Sequence, residues 1–314
     1  MFYIISLKEP IEKKRYLKSH DIDPFWIKGV NGKELDKKVI QKHFTKFYSN
    51  YGPRGSIGCA LSHLKTWKKF LRSGKDYCII FEDDVILKKN FTKRFERALK
   101  NVPDDYDILY LGSFGGIPKS NFFTIIFDIL QMTNPVFDKI NKYISKPKVA
   151  LGAHAYVLSR KGAKKLVDLL DENINNHIDY CIQNLASKDF IKTYAVIPRL
   201  AYQTSTDTLK SSNSSNQHPF IITKFLSHFY LDKMVRASYI ATVSIMQICN
   251  VYITPITLLF FILGCILAFF ETSLQNIILY YIIISLPDIC QFNLIYTLFH
   301  LLILIIIPLF FHLS

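Results

Sequence analysis

The last 78 residues contain neither lysine nor arginine, and this feature constrains the fold more than any other. All 39 basic residues lie within residues 1–236, together with 23 of the 25 acidic ones, so this part carries a net charge of +16 and residues 237–314 carry −2. So uneven a distribution excludes a disordered chain, a collagen-like or coiled-coil repeat and a single uniform globule. It predicts a basic soluble domain followed by a hydrophobic C-terminal region.

The hydrophobic region predicts two or three membrane passes. A spanning helix needs roughly 20 apolar residues, and the stretches 253–270 and 292–313 approach or exceed that length. The segment 273–286 is shorter, so it suits a re-entrant, interfacial or tilted segment as well as a span. A buried core helix is the structural alternative for each stretch.

Basic residues next to the hydrophobic block predict its orientation. Three of them directly precede it: Lys224, Lys233 and Arg236. By the positive-inside rule, the domain before them should face the cytoplasm. We therefore expect a catalytic domain over 1–210, a linker over 211–236 and a transmembrane region over 237–314.

Short apolar runs alternate with helical patterns along the first 200 residues. The strands are predicted at 2–7, 25–30, 77–81, 107–111, 150–158 and 193–197. The helices are predicted at 9–19, 55–70, 90–101, 160–170 and 177–186, with Ser56 and Ser159 as N-caps. This alternation predicts an α/β fold with a mostly parallel sheet and ligands at the carboxyl ends of the strands. Residues 113–148 look irregular and could form a lid or an acceptor-facing insertion.

Three consecutive carboxylates, Glu82, Asp83 and Asp84, directly follow an apolar strand. Two unit charges 4 Å apart repel by about 1 kcal/mol in water and about 4 kcal/mol at an effective dielectric constant near 20. A hard divalent cation would relieve this repulsion, because carboxylate oxygens suit Mg²⁺ and Mn²⁺. In strand geometry Glu82 and Asp84 would face one side and Asp83 the other. A solvated turn is the alternative.

Four further polar residues could contribute to a site. Ser62 and His63 lie on a predicted helix, where a lone histidine is more often packed or exposed than a ligand. His154 lies in a strand among small residues, which permit close approach of the backbone. Asp179 opens a short helix, where a carboxylate could cap the N-terminus or act as a general base.

Taken in order, the motifs resemble those of glycosyltransferase family 25, the galactosyltransferases of bacterial lipooligosaccharide biosynthesis. The motifs are YIISL, KKR (Lys13, Lys14, Arg15), GVNGKEL, GCALSHLKTW, YCIIFEDDV, DILYLG, LGAHAYVLSRKGAKKL and HIDYCI. The resemblance covers roughly 2–203 and leaves the hydrophobic tail outside. It implies a GT-A-like nucleotide-sugar-binding domain and an inverting transfer of a sugar, usually from UDP-galactose, to a glycan acceptor.

The resemblance also implies roles for individual residues. Glu82, Asp83 and Asp84 would hold Mn²⁺ or Mg²⁺ on the UDP diphosphate, with His154 as a further metal or phosphate contact. Asp179 would be the general base for the acceptor hydroxyl. The nucleotide side would be lined by Ser6, Arg15, Asn31, Ser62 and His63, with Arg15 as a phosphate partner.

The leading hypothesis is a glycosyltransferase anchored in the bacterial inner membrane with its catalytic domain on the cytoplasmic face. Its partners would be a nucleotide sugar, a lipid-linked glycan acceptor and the membrane. The alternatives are a metal-dependent nucleotidyltransferase or pyrophosphatase acting on sugar nucleotides, and a non-catalytic membrane-anchored protein that binds a glycan or nucleotide. The chain has neither GxxxxGK[ST] nor GxGxxG, which weakens the first alternative. Nucleic-acid binding would rest on net charge alone and is not expected.

Overall fold

The computed structural model describes residues 1–114, 137–147 and 150–203 and, beyond them, short pieces between 246 and 302. The chain divides into two compact units, Met1–Gln217 and His218–Ser314. The boundary falls within the predicted linker, 211–236, which lies outside the described residues. The division into domains at 210 and 236 stays a prediction.

The described part of the first unit contains alternating helices and strands, together with a 3₁₀ turn at Gly32–Glu34. The helices are α1 (Ile11–Lys18), α2 (Lys37–His43), α3 (Lys46–Tyr51), α4 (Arg54–Leu71), α5 (Phe91–Leu99), α6 (Arg160–Leu170) and α7 (Ile178–Ser187). The strands are β1 (Phe2–Ser6), β2 (Phe25–Lys28), β3 (Tyr77–Glu82), β4 (Val85–Leu87), β5 (Ile108–Phe114), β6 (Phe137–Lys139), β7 (Ile144–Pro147), β8 (Leu151–Ser159), β9 (Thr193–Val196) and β10 (Ala201–Gln203). Each predicted strand and helix of this unit is confirmed, with its ends shifted by at most three residues.

Eight of these strands form one mixed sheet in the order β2-β1-β3-β8-β5-β9-β7-β6, while β4 pairs with β10. Strand β1 runs parallel to β2 and β3, and β5 runs parallel to β9. Strand β8, however, lies antiparallel between β3 and β5, and β7 is antiparallel to both of its neighbours. The α/β class is confirmed, but the prediction of a mostly parallel sheet is wrong. A central strand buried on both faces has the same apolar pattern whichever way it runs.

The two faces of the sheet bury separate cores. Because side chains alternate along a strand, Ile80 of β3 joins the core beneath α4, α6 and α7, and its neighbour Phe81 joins the core beneath α1 and α5. Trp67 of α4 anchors the first core, and Phe91 of α5 anchors the second. The unit is therefore three layers deep, with helices on both sides of the sheet.

The two predicted N-caps have different outcomes. Ser159 caps α6 as predicted, because its hydroxyl accepts a hydrogen bond of 3.0 Å from the Gly162 amide. Ser56 lies inside α4 instead, with Pro53 at the N-cap. The Ser56 hydroxyl is 2.7 Å from that of Tyr48, so a tertiary contact uses the group that was expected to cap the helix.

Part of the segment predicted to be irregular is regular. Strands β6 and β7 form an antiparallel pair at the edge of the sheet, with Phe137 opposite Pro147. Residues 115–136 lie outside the described residues. The prediction of a lid or acceptor-facing insertion there stays a prediction.

The prediction of C-terminal transmembrane helices is overturned. Among the described residues, no helix is both long and apolar enough to cross a bilayer. The described pieces of the second unit include an antiparallel pair, β11 (Met246–Ile248) and β12 (Val251–Ile253), within the hydrophobic C-terminal region. Most of 253–270 and 292–313 lies outside the described residues. An apolar run indicates burial, but it does not by itself impose the roughly 20 continuous helical residues that a span requires.

Replacing the Phe91 side chain should test the second core. The ring is 1% exposed, so Phe91→Ala should lower the free energy of unfolding by about 3–5 kcal/mol through lost burial and the remaining cavity. Phe190→Ala is the matched control, because that ring is 53% exposed and its loss should cost no more than about 0.5 kcal/mol. Chemical denaturation measures both, and equal losses would contradict this packing.

Candidate active site

The three carboxylates lie where β3 ends. Glu82 is the last residue of β3, and Asp83 and Asp84 form the turn into β4. Since β1 and β3 are parallel and Ile5 pairs with Glu82, the carboxyl ends of the two strands lie side by side. The Ser6 hydroxyl donates a hydrogen bond of 2.5 Å to Asp83 Oδ2. The predicted site residues Ser6 and Asp83 are thus in direct contact.

A lysine of α1 supplies positive charge at this corner. Lys13 Nζ donates a hydrogen bond of 2.6 Å to the Val85 carbonyl oxygen. Burial lowers the pKa of Lys13, while the nearby charges of Asp84 and Asp83 act in the opposite direction. Arg15, the predicted phosphate partner, is exposed on the same helix.

The sequence prediction missed Lys13, although the KKR motif contains it. Lys13 lies four residues before Leu17, which is fully buried. On a helix, residues three and four apart share a face, so the buried leucine indicates that Lys13 or Lys14, and not Arg15, turns towards the sheet.

Glu82 turns to the opposite side, towards α4. His63 Nε2 is 3.1 Å from Glu82 Oε1, and Gln203 Nε2 donates to Glu82 Oε2 over 3.3 Å. Burial opposes ionisation of this carboxyl group, but the hydrogen bond from His63 and the neighbouring histidines outweigh it and lower the pKa of Glu82. Glu82 therefore stays ionised near neutral pH and accepts hydrogen bonds on both oxygens.

A second layer of polar groups lies behind His63. His63 Nδ1 is 2.9 Å from the Tyr156 hydroxyl oxygen, and Trp67 Nε1 donates to the same oxygen over 2.7 Å. All three side chains are buried. Tyr156 and Trp67 lie within the motifs of the sequence analysis but had no predicted role, because a buried aromatic residue has no sequence signal that separates a polar contact from packing.

Asp179 lies on the same side of the sheet as Glu82. The imidazole of His177 caps α7 by accepting a hydrogen bond of 3.4 Å from the Asp179 amide, so the Asp179 carboxylate is not the cap. Its Oδ2 instead accepts a hydrogen bond of 3.1 Å from the Gly152 amide. Gly152 has a φ of 103°, a conformation that favours glycine.

The surroundings of Asp179 raise its pKa. Burial is the largest cause and the charge of Glu82 adds to it, while His177, His63 and the Gly152 amide act against it. A carboxylate with a raised pKa is a stronger base than an exposed one. This environment suits the role of general base predicted for Asp179.

His154 is 1% exposed in β8 and packs against Gly112, where an added Cβ atom would lie 2.4 Å from His154 Nε2. Burial lowers the pKa of His154 to about 4, although the charge of Glu82 acts against this. The imidazole is therefore neutral near pH 7. Its role as a metal or phosphate contact stays a prediction.

Two residues predicted to line the nucleotide side hold a loop in place. The Ser62 hydroxyl accepts from the Val30 amide over 2.8 Å and donates to the Gly58 carbonyl oxygen over 2.7 Å. Asn31 accepts from the Lys33 amide over 3.1 Å and so caps the 3₁₀ turn. These contacts fasten the loop after β2 to α4, and a direct contact of either residue with a nucleotide stays a prediction.

The donor atoms near Glu82 could hold a cation. Ligand atoms of Cys59, His63 and Glu82 lie within 4.8 Å of one another, a group that shares only Glu82 with the predicted metal ligands. Carboxylates suit Mg²⁺ and Mn²⁺, whereas a thiol and an imidazole suit softer metals such as Zn²⁺. Burial raises the pKa of the Cys59 thiol well above its usual value, and the charge of Glu82 raises it further, so without a metal the thiol keeps its proton. A hard cation such as Mg²⁺ therefore fits the carboxylates at the end of β3 better than it fits the group formed with Cys59 and His63.

Comparison with known proteins confirms the predicted family. Residues 1–182 match the sequence model of a family described as glycosyltransferase family 25 (LPS biosynthesis protein). A putative glycosyltransferase of Haemophilus influenzae is 32% identical over 145 residues, which cover 46% of this chain and 45% of the relative.

Two animal proteins are also similar, over a shorter part of the chain. The inactive glycosyltransferase 25 family member 3 of Mus musculus is 31% identical over 126 residues, 35% of this chain and 21% of the relative. Procollagen galactosyltransferase 2 of Homo sapiens is 25% identical over 125 residues, 35% of this chain and 20% of the relative. The chain thus spans less than half the length of each of these relatives.

Removing the charge of Lys13 should weaken the binding of a nucleoside diphosphate. A hydrogen bond to a charged group contributes about 1.5–3 kcal/mol, so Lys13→Gln should lower UDP affinity roughly 10- to 100-fold. Lys14→Gln is the control, because Lys14 Nζ pairs with Glu9 at the surface over 3.0 Å, and it should change affinity less than about 3-fold. Calorimetry measures both, and equal affinities of the two variants would contradict this placement.

Proposed function

Since the chain belongs to glycosyltransferase family 25, we propose that it is an inverting hexosyltransferase that moves galactose from UDP-galactose onto a lipooligosaccharide core. The observation that carries the proposal is the position of Asp179, a partly buried carboxylate of raised pKa on the same side of the sheet as the ionised Glu82. Direct displacement with inversion needs a base on the acceptor side and charge compensation on the leaving-group side. Two carboxylates whose environments push their pKa values apart suit that division of roles.

The base would be Asp179. Its Oδ2 is held by the Gly152 amide, which orients the carboxylate. In this role it would accept the proton of the attacking acceptor hydroxyl as the new glycosidic bond forms and the bond to UDP breaks. His177, His63 and the Gly152 amide lie close enough to favour the ionised form before the reaction.

The corner after β3 would bind the diphosphate. Glu82, Asp83 and Asp84 would hold Mn²⁺ or Mg²⁺ there, and that cation would neutralise charge on the departing UDP. Ser6 fixes Asp83, and Lys13 adds a protein cation next to the same carboxylates. His154 is neutral and close to Glu82, which fits a contact with the cation or a phosphate oxygen.

The proposed acceptor is based on the descriptions of the family and of one similar protein. The family description refers to LPS biosynthesis, and one similar protein is named a procollagen galactosyltransferase. A lipid-linked glycan of the bacterial envelope is our proposed acceptor, with the cytoplasmic face of the inner membrane as the site of transfer. Mass spectrometry of surface glycolipid from strains with and without this chain would test this, and loss of one hexose is the expected result.

A non-catalytic nucleotide- or glycan-binding protein is the alternative. It is favoured by the word "inactive" in the name of one similar protein, member 3 of the family in Mus musculus. Such a protein would bind UDP without turning over UDP-galactose. The base at Asp179 distinguishes the two, because a binding protein would have no need of it.

Replacing the proposed base should abolish most turnover. Asp179→Asn keeps the shape but cannot accept the proton, so kcat for UDP-galactose should fall roughly 10²- to 10⁴-fold. Asp168→Asn is the control, because that carboxylate pairs with Lys164 on the exposed side of α6. In the unaltered protein, kcat/KM should fall as the pH drops through a pKa above about 3.9, the usual value for aspartate. Unchanged turnover in Asp179→Asn would refute the assigned base.

Removing the cation should stop the reaction. Excess EDTA should abolish release of UDP from UDP-galactose in the presence of acceptor, and added Mn²⁺ or Mg²⁺ should restore it. Asp84→Ala should reproduce the loss at ordinary metal concentrations, whereas Asp23→Ala, on an exposed residue, should not. Full activity of Asp84→Ala, or in excess EDTA, would remove the metal from the mechanism.

A further inference from the structure

A continuous line of hydrogen bonds runs from the interior of the protein to Glu82. Trp67 and His63 lie one turn apart on α4, Tyr156 lies on β8, and Glu82 ends β3. The separations along the line are 2.7 Å from Trp67 Nε1 to the Tyr156 oxygen, 2.9 Å from there to His63 Nδ1 and 3.1 Å from His63 Nε2 to Glu82 Oε1. Trp67 is fully buried, and His63 and Tyr156 are at most 1% exposed.

The chemistry of Trp67 and Glu82, at the two ends of the line, determines which group donates and which accepts in each hydrogen bond. An indole nitrogen can only donate, and an ionised carboxylate can only accept. Trp67 therefore donates to the Tyr156 oxygen, and His63 must present an Nε2–H to Glu82. The Tyr156 hydroxyl then has its own hydrogen to donate, and His63 Nδ1 is the acceptor in line with it.

The other neutral form of His63 does not fit this geometry. With its proton on Nδ1, the Nε2 lone pair would face a carboxylate oxygen at 3.1 Å, which places two acceptors against each other. The hydrogen of the Tyr156 hydroxyl would also need a second acceptor, and the described residues offer none. A buried polar group without a partner costs about 1–3 kcal/mol.

We propose that His63 and Tyr156 are positioning residues that hold the carboxylate plane of Glu82, with His63 in the Nε2–H form and not a metal ligand. The role of the held carboxylate rests on the proposed function, in which Glu82 contacts the cation on the diphosphate. Gln203 of β10 donates to the other oxygen of Glu82. The carboxylate is thus held from α4 on one side and from β10 on the other, and each oxygen keeps a lone pair for a further ligand.

This assignment separates His63 from the group formed with Cys59 and Glu82. A metal bound by all three would need the lone pair of His63 Nε2, which the hydrogen bond to Glu82 excludes. Partners that orient a metal ligand are typical of metal sites, and their loss usually costs roughly 10- to 100-fold in metal affinity or activity. Tyr156 lies two hydrogen bonds from Glu82, and loss of its hydroxyl should lower metal affinity or activity to a similar extent.

The tautomer can be observed without any enzymatic activity. Nitrogen-15 NMR of the full chain, with the His63 signals identified by their loss in His63→Gln, should show a proton on Nε2 and none on Nδ1. The same pattern should persist when Mg²⁺ and UDP are added. A proton on Nδ1, or a pattern that shows stoichiometric metal on Nε2, would overturn the proposal even if the protein proves to be a transferase.

Two tyrosine variants test the functional consequence. Tyr156→Phe removes the hydroxyl from the line, so the His63 Nδ1 signal should move towards that of an imidazole without a hydrogen bond, and kcat/KM for UDP-galactose should fall roughly 10- to 100-fold. Tyr3→Phe is the matched control. Tyr3 is fully buried in the same core, and its hydroxyl has no hydrogen-bond partner among the described residues. It should leave both the NMR pattern and turnover unchanged within about 3-fold.

The outcomes separate this proposal from the proposed function. A shifted His63 signal in Tyr156→Phe alone, in a protein that transfers no hexose, would support the hydrogen-bond line while the transferase proposal failed. Equal losses of activity and of thermal stability in both variants would mean that Tyr156 acts through packing only, and would overturn the positioning role.

Discussion

The site depends on how the protein compensates an ionised carboxylate at the end of a buried strand. Glu82 follows four fully buried residues of β3, and a charge in such a place is costly unless hydrogen bonds satisfy it. His63 and Gln203 supply those bonds from two separate elements. The Glu82 carboxylate therefore helps to position α4 and β10 against the end of β3, and the proposed chemistry uses the same carboxylate.

The alternation of side chains along β3 divides the site into two sides. On one side, Asp83 contacts Ser6 and lies near Lys13, which suits binding of an anionic diphosphate next to a cation. On the other, Glu82 lies among histidines and is near enough to Asp179 to raise the pKa of that carboxyl group. The end of β3 thus places Asp83 and Glu82, both proposed ligands of the cation, on two sides of one corner, with the proposed base Asp179 on the side of Glu82.

Local patterns predicted the elements well and their arrangement poorly. The apolar run of β8 predicted a strand, but burial on both faces left its direction open, and the strand runs antiparallel between β3 and β5. The hydrophobic tail predicted spanning helices, yet no such helix occurs in the described part of the chain, which includes a pair of short strands at 246–253. Hydropathy indicates burial, whereas the direction of a strand depends on hydrogen-bond partners in other strands.

The sequence by itself singled out most residues of the candidate site: the acidic run after an apolar strand, the Ser-His pair, and the aspartate at the start of α7. Only the tertiary structure decided what each of them contacts. Glu82 meets His63 across 19 residues and Gln203 across 121, and the basic residue that reaches the corner is Lys13 and not Arg15. The physical reason is that periodicity encodes which face of an element is buried, while the partner of a buried polar group is fixed by the packing of elements far apart in the chain.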